Sequence, residues 1–513
     1  MGTDSDAAGP SAEVIIGLDV GTTATKVVAF EVGSARRVTA IREYPLMAPQ
    51  PGWQVQDPFV VRAAVLSALA ECVTAVGGDR VVAVSVSTAM HALIGLDADF
   101  EPVTSLITWA DARSVDEARG LRASDVAMDL YRASGTPIHP MTPLTKLMWF
   151  SRREPVLTAR VRWWAGLKDY VLATLTQTMA TELSSASGTA MLDLTTRDWN
   201  PTAIELAGIR AEQLPPVLPT TAVLGLAAAV AAQVGLPAGL PVVVGAGDGP
   251  LGNVGTGAMA RGVVGLSLGT SGAVRMVVPE PQLDPKGRLF CYALTESQWI
   301  VGGAISTGGV VVRWAGDVFG HGLGAEGTPH DRELLELAAA VPPGSDGLLM
   351  LPYLLAERAP LWNPDLAGAY LGIRHGHTRG HFVRASVEGV ALQLSTIVEA
   401  LDRIEPVTSV RATGGAFRSV LWRQVLAGAI GRPVTVTGGA EGSALGVAAL
   451  GLLALGRAGD LTSAVEALGP PQGARPIEVP EVASPSEVAF YRGLRASVPS
   501  LLAAYDEVAR LFA

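Results

Sequence analysis

Cysteine is almost absent from this chain: two in 513 residues, Cys72 and Cys291. Two thiols cannot staple a protein of this length and match no metal-ligand spacing, so the sequence reads as one that lives among reduced thiols, with the cytoplasm as its expected compartment. Charge is scarce as well, at 17% of residues, and its balance is acidic, 38 Lys and Arg against 48 Asp and Glu for a net −10. No block of consecutive basic residues exists to attract a phosphate backbone or an anionic lipid surface, so neither nucleic acid nor a membrane is an expected partner. One stretch is long enough to suggest a membrane span. The run from Gln213 to Gly247 carries no charge, but Pro215, Pro216, Pro219, Pro237 and Pro241 cut it into pieces that read as buried elements joined by turns. The first 13 residues, MGTDSDAAGPSAE, are acidic where an export leader needs positive charge and an apolar segment, and read as a frayed tail. Finally, no GxxxxGK[ST] run occurs, which excludes a P-loop as the means of holding a nucleotide.

What the sequence does have is apolar material, 49% of its residues, and enough length for more than one core. VIIGLDV at 14–20, TKVVAFEV and VTAIREY predict three strands in a meander. Asp57 and Pro58 predict the start of a helix running to about Val76, stopped by Gly77-Gly78 ahead of the strand VVAVSVS. The fold class is therefore α/β, with the later strands parallel and covered by helices. An internal echo sets the organisation: GLDVGTTATKVV at 17–28 recurs as GLSLGTSGAVRMV at 265–277, each an apolar strand turning at Gly-Thr into a second strand. The chain reads as duplicated, with domains at 14–252 and 253–513 and a cleft between them. The second half is expected to continue with a helix from about Gly380 to Ile404, the strand SVRATGG, a helix around SVLWRQVLAGAIG, the strand PVTVTG and a helix from Ser443.

A Gly-Thr-Thr turn between strands offers converging backbone N–H groups and hydroxyls to a phosphate. Gly21, Thr22 and Thr23 form one candidate, with Lys26 adding charge and Asp19 a carboxylate suited to Mg²⁺; Gly269, Thr270 and Ser271 form the second. Taken singly, each is equally a hairpin with a polar tip. Asp248 ends the strand VVVGAGDG among glycines that leave room for a ligand, where it can take a proton from an attacking hydroxyl or simply cap a turn. Gly414-Gly415 would let a flat ring approach the backbone, with Ser419 and Gln424 on the helix that follows. The histidines of HGHTRGH at 375–381 lack Cys or a fourth ligand nearby and read as loop residues rather than a metal site.

Together these motifs resemble the FGGY family of carbohydrate kinases over residues 14 to 455, including MTPLTKLMWFSR at 141–152 and GAYLGIRHGHTRGHFVRASVE at 368–388. The resemblance implies two actin-like, ribonuclease H-like domains with an interdomain cleft. It implies ATP phosphates on Gly21, Thr22, Thr23, Lys26, Gly269, Thr270 and Ser271, and adenosine on Gly309, Gly414, Gly415 and Ser419. Asp248 would be the catalytic base, and Asp19 would associate with Mg²⁺, Asp248 sharing that metal. Within the family, STAMHALIGLD, LITWADARS, GDGPLGN and LPYLLAERAPLWNP look most like the members that phosphorylate D-gluconate; pentulose kinases share Met90-His91, but resemblance to them weakens at Gly249, where an Asn or Gln is commoner. Sugar contacts would fall on Met90, His91, Trp109, Asp111 and Asp248. Arg113, Lys146 or a protonated His91 are the candidates for pairing the carboxylate. A homodimer is compatible with the resemblance. A reading of a different class, a nucleotide-dependent interaction protein of the actin or Hsp70 type, shares the duplicated turns and lacks need of the sugar-side motifs between residues 88 and 150.

Overall fold

The computed structural model describes residues 12–319, 331–438, 442–469 and 477–509. The expected tail at 1–13 falls mostly outside the described residues. Ala12 and Glu13 are held: the Ala12 carbonyl accepts from Arg80, and the Glu13 carbonyl accepts from the Val32 N–H.

The first lobe is built on β1 (Val14–Val20), β2 (Ala24–Glu31), β3 (Arg37–Glu43), α1 (Pro58–Val76), β4 (Val81–Thr88), α2 (Pro143–Arg153), α3 (Leu167–Thr176), β5 (Val223–Gly225), β6 (Pro241–Gly247) and α4 (Asp248–Gly255). Its sheet runs β5-β6-β4-β1-β2-β3, with β1, β2 and β3 antiparallel in succession and β4 parallel to both β1 and β6. The predicted meander, helix and parallel strand are therefore present. Asp57 caps α1 by accepting from the Phe59 and Val60 N–H groups, and Gly77 ends it at φ 86°. By length and hydropathy α1 could cross a membrane; in the fold Val61, Val65, Leu69 and Cys72 are buried in the core that also takes in Val27 and Ala40 of the sheet. The uncharged run 213–247 breaks at its prolines into short strands and one helix of seven residues, Ala228–Val234.

The second lobe repeats the plan with β7 (Val263–Leu268), β8 (Gly272–Val278), β9 (Phe290–Ala293), β10 (Trp299–Ile305), α5 (Val310–Phe319), α6 (Arg379–Asp402), β11 (Ser409–Thr413), α7 (Val420–Ile430), β12 (Val434–Val436), α8 (Gly442–Ala454) and β13 (Ile477–Glu481), in the order β9-β10-β8-β7-β11-β12-β13. The hairpin β7–β8 matches β1–β2, and β11 runs parallel to β7 as β4 does to β1. In that correspondence Asp19, beside Ser87, matches Ser267, beside Thr413.

The lobes are not separate in packing. The expected division between 252 and 253 falls inside α4, and α8, from the far end of the chain, lies on the first lobe's sheet. The two helices approach with their backbones almost touching: a Cβ on Gly446 would sit 2.1 Å from the Leu251 carbonyl oxygen, and one on Gly255 would sit 2.0 Å from that of Gly442. Gly17 of β1 meets the Ala444 carbonyl at 2.3 Å in the same sense. Such side-chain-free contact lets two helices sit between two sheets without forcing them apart.

Candidate active site

Asp248 is the first residue of α4, delivered to the cleft by an irregularity in β6. The β4–β6 register slips between Val243 and Ala246, where Gly245 takes φ 77° and a Cβ would lie 1.9 Å from the Val86 carbonyl oxygen. The bulge leaves carbonyls unpaired in the core, and buried Lys168 of α3 answers them, donating to Val244 O at 2.8 Å, Ala246 O at 3.1 Å and Val86 O. Its ammonium also stands 3.9 Å from Glu182, and burial holds its pKa down to about 8.

The Asp248 carboxyl is pushed up to about 6, first by burial and then by the negative charge of Asp19, with Arg275 opposing. Burial raises Asp19 as well, against a hydrogen bond from Ser87 Oγ at 2.7 Å and the charge of Lys26, its register partner across β1–β2. Both carboxylates line one cavity with Ser267, Arg275, Thr413, Thr437 and Ser443. Two mutually repelling carboxylates among hydroxyls suit a hard divalent cation that keeps most of its water. Among the described residues no group of three or more His, Cys, Asp and Glu is placed to hold a metal, and His381 of the 375–381 segment pairs with Asp346 at 3.1 Å.

Asp248 also lines a neighbouring cavity of about 220 Å³, which takes Met90, His91, Trp109 and Met141 from the first lobe and Ser271, Arg275, Phe290, Tyr292, Arg358 and Trp362 from the second. Farther along, a cleft of about 740 Å³ is lined by Gly269, Thr270, Gly309, Gly415, Ser419 and Trp422, a size suited to a nucleotide. The second Gly-Thr turn thus touches both spaces. Gly309 N–H donates to the Gly269 carbonyl at 2.7 Å, where a Cβ on Gly309 would collide, and Gly414 sits at φ 121° with the Leu268 carbonyl 2.2 Å from its would-be Cβ. Gln424 is exposed and lies outside the lining of that cleft. The first turn, Gly21 to Thr23, and Lys26 lie outside these three linings. The turn is braced from behind: Tyr44 donates to the Gly21 carbonyl, Gln56 to that of Thr22, and Trp109 Nε1 to Thr22 Oγ1 at 3.0 Å.

Of the expected sugar contacts, Met90, His91 and Trp109 reach the small cavity, whereas Asp111, Arg113 and Lys146 stand behind its wall. Lys146 spends all three N–H bonds on the carbonyls of His91, Thr108 and Met141 at 2.7 to 2.8 Å. Arg113 forms a bidentate pair with Asp111 at 2.8 and 2.9 Å, and its guanidinium lies 3.7 Å over Trp53. Their side chains are only 4% and 0% exposed. His91, held at φ 64° with Nδ1 donating to the Gly188 carbonyl, has its pKa lowered to about 3, chiefly by burial, and carries no charge at neutral pH. None of the three expected cations is therefore placed to meet an anionic substrate. The cations that do line the cavity are Arg275 and Arg358, brought in by the second lobe. An arginine in the apolar strand GAVRMVV was the one sequence signal for the first; nothing local marks the second.

A duplicated sheet with a Gly-Thr hairpin turn in each copy, arranged about a cleft, defines the actin-like class. Residues 14–255 match the FGGY family of carbohydrate kinases, N-terminal domain, and residues 264–455 its C-terminal domain. The chain belongs to that family, and it is a phosphotransferase. It is 38% identical to the gluconokinase of Bacillus subtilis, over 90% of this chain and 92% of that one, and 29% identical to the xylulose kinase of the same organism, over 85% and 87%. In three dimensions it resembles gluconate kinase from Lactobacillus acidophilus (TM-score 0.88, 31% identity, 96% and 98% coverage) and ligand-bound xylulose kinase from the same species (0.89, 30%, 98% and 100%).

Proposed function

We propose that this chain transfers the γ-phosphoryl group of ATP to the terminal hydroxyl of D-gluconate, giving 6-phospho-D-gluconate. The observation that carries the substrate is the gap in sequence identity, 38% to a gluconokinase against 29% to a xylulose kinase. Overall shape does not discriminate, since the two kinases from L. acidophilus superpose equally well. The actin-type interaction reading has no use for the sugar-sized cavity beside Asp248.

In the reaction, Asp248 accepts the proton of the substrate hydroxyl as that oxygen attacks phosphorus; its position between the two smaller cavities supports the role. Thr270 and Ser271 present the turn at which the phosphates enter, while Gly309, Gly415 and Ser419 border the nucleotide's cleft. Gly21, Thr22, Thr23 and Lys26 face the same charge from the first lobe in this reading. Asp19, with Asp248 beside it, would hold Mg²⁺, which when bound neutralises negative charge on the phosphates. Met90, His91 and Trp109 shape the sugar site; Asp111, Arg113 and Lys146 keep its wall rigid. We place the enzyme in the cytoplasm, and retain a homodimer without assigning an interface.

A coupled ADP-release assay with gluconate, D-xylulose, L-ribulose and glycerol tests the proposal. Gluconate should give the highest kcat/KM, and a clear preference for xylulose would overturn it.

A further inference from the structure

We propose that Arg275 is the counter-ion of the substrate's carboxylate, and that Gly249 stays without a side chain to leave room for its guanidinium. The inference rests on the reading of the site as one for a sugar acid, and it assigns the specificity of that site to a pair of residues from different lobes.

Arg275 is a half-buried cation that lines two cavities and has no ion-pair partner among the described residues. Among the described residues its one side-chain hydrogen bond runs from Nη1 to Ser267 Oγ at 3.3 Å, and its Nε has no partner. Among the described residues no carboxylate lies within 4 Å of it, although the charge of Asp248 is felt. A guanidinium removed from water in this way is costly unless an anion completes it, and its planar fork matches a carboxylate. Arg358, the other cation of the cavity, is more committed: it donates to Ser306 Oγ at 3.2 Å and Ile305 O at 2.8 Å, and lies over Trp109 at 4.6 Å.

Two anions could reach Arg275, the transferred phosphoryl group and the acid group of the substrate, for it borders both the cavity of Asp19 and Asp248 and the sugar-sized one. We assign it to the acid group on its strand position and its neighbours in the second cavity. Arg275 is four residues along β8 from Ser271, about 13 Å of strand from the phosphate turn. It shares the lining of the small cavity with Trp109, Phe290 and Tyr292. The register with β10 opposes it to Gly302, where a Cβ would press on the Arg275 Cα and Cγ at 3.1 and 3.2 Å. On the other side a Cβ at Gly249 would approach Nη2 to 3.2 Å and Nε to 3.4 Å. Any longer side chain at 249 would occupy the space the guanidinium fills. The arginine is thus seated between two glycines, one from each lobe, next to the base.

Kinetics on gluconate and on gluconamide, its neutral amide, test the assignment in the full-length enzyme. The wild type should prefer the acid. Arg275→Gln should raise KM for gluconate about 30-fold, the loss of one charge-assisted pair, while KM for ATP and for gluconamide stays within about threefold, so that discrimination collapses. Arg275→Lys should restore part of the preference. Gly249→Asn, which leaves the arginine in the chain and displaces it, should lose discrimination in the same direction and serves as the readout if Arg275→Gln fails to fold. A fall in kcat of equal size for acid and amide, with KM unmoved, would assign Arg275 to the phosphoryl group and overturn the inference. Retained discrimination in both variants would overturn it while leaving gluconate as the substrate; a wild type that turns over a neutral ketose and ignores gluconate would remove both readings together.

Discussion

Ser87 donates its hydroxyl hydrogen to Asp19 Oδ1 at 2.7 Å, joining β4 to β1 at the point where both strands open into the cleft. The bond favours the ionised carboxylate against the burial that raises its pKa. Ser87→Ala should therefore raise the Mg²⁺ concentration needed for half-maximal turnover by about tenfold, as loss of an outer hydrogen bond to a metal-associated carboxylate does. Turnover measured across a Mg²⁺ titration checks this, and an unchanged midpoint would detach Asp19 from the metal.

Asp248→Asn should lose at least about 10³-fold in kcat, because the amide cannot accept the proton, while ATP still binds as judged by calorimetry. For the wild type, kcat/KM should fall about tenfold per pH unit below about 6, where the raised carboxyl takes up a proton. The sign for stability is opposite. A carboxyl whose pKa rises from 3.8 to about 6 on folding contributes stability that is fully present below 3.8 and lost as pH rises through 6. The asparagine variant should accordingly melt higher than the wild type at pH 7.5, and the gap should close near pH 4. Equal melting temperatures across that range would contradict the electrostatic account.

Lys168 lies outside the linings of the cavities around Asp248, yet it answers three carbonyls at the bulge by Gly245 and stands beside Glu182. Lys168→Met leaves those acceptors and a buried carboxylate uncompensated, at a cost of about 3 to 5 kcal/mol. Denaturant unfolding should register a loss of that order, and kcat should fall with it because the bulge aims Asp248. A variant that unfolds like the wild type would show that the ammonium is dispensable.

Gly446→Ala puts a methyl group 2.1 Å from the Leu251 carbonyl oxygen, against backbone that cannot swing away. The helices α4 and α8 must part, which moves Asp248 at the start of α4. A lower melting temperature together with a reduced kcat is expected, whereas the same change at exposed Gly459, with open space around it, should be neutral in both.

Local features were readable where local chemistry sets them. Asp57-Pro58 and Gly77-Gly78 bound α1 because a cap and a stop act within a few residues. The two Gly-Thr turns share a pattern because each closes the same kind of hairpin, and Asp248 stands out as a carboxylate at the end of an apolar strand. The sugar-side cations were misassigned for an equally physical reason. Asp111, two residues before Arg113, was near enough in sequence to suggest their pairing, whereas for Lys146 only folding brings the carbonyls of His91 and Thr108. The helix at 442–454 begins near where it was expected, but nothing in its sequence says that it packs on the sheet of the other lobe.

The residues themselves determined that this chain would form a duplicated α/β protein with a Gly-Thr turn in each half, since periodicity, caps and glycines act over short distances. Tertiary structure alone decided which charges remain free to meet a ligand. Arg358 is satisfied by groups some fifty residues away, while Arg275 keeps one weak side-chain bond, a difference that only the packing of the strands decides, and burial sets the cost of leaving a charge unpaired.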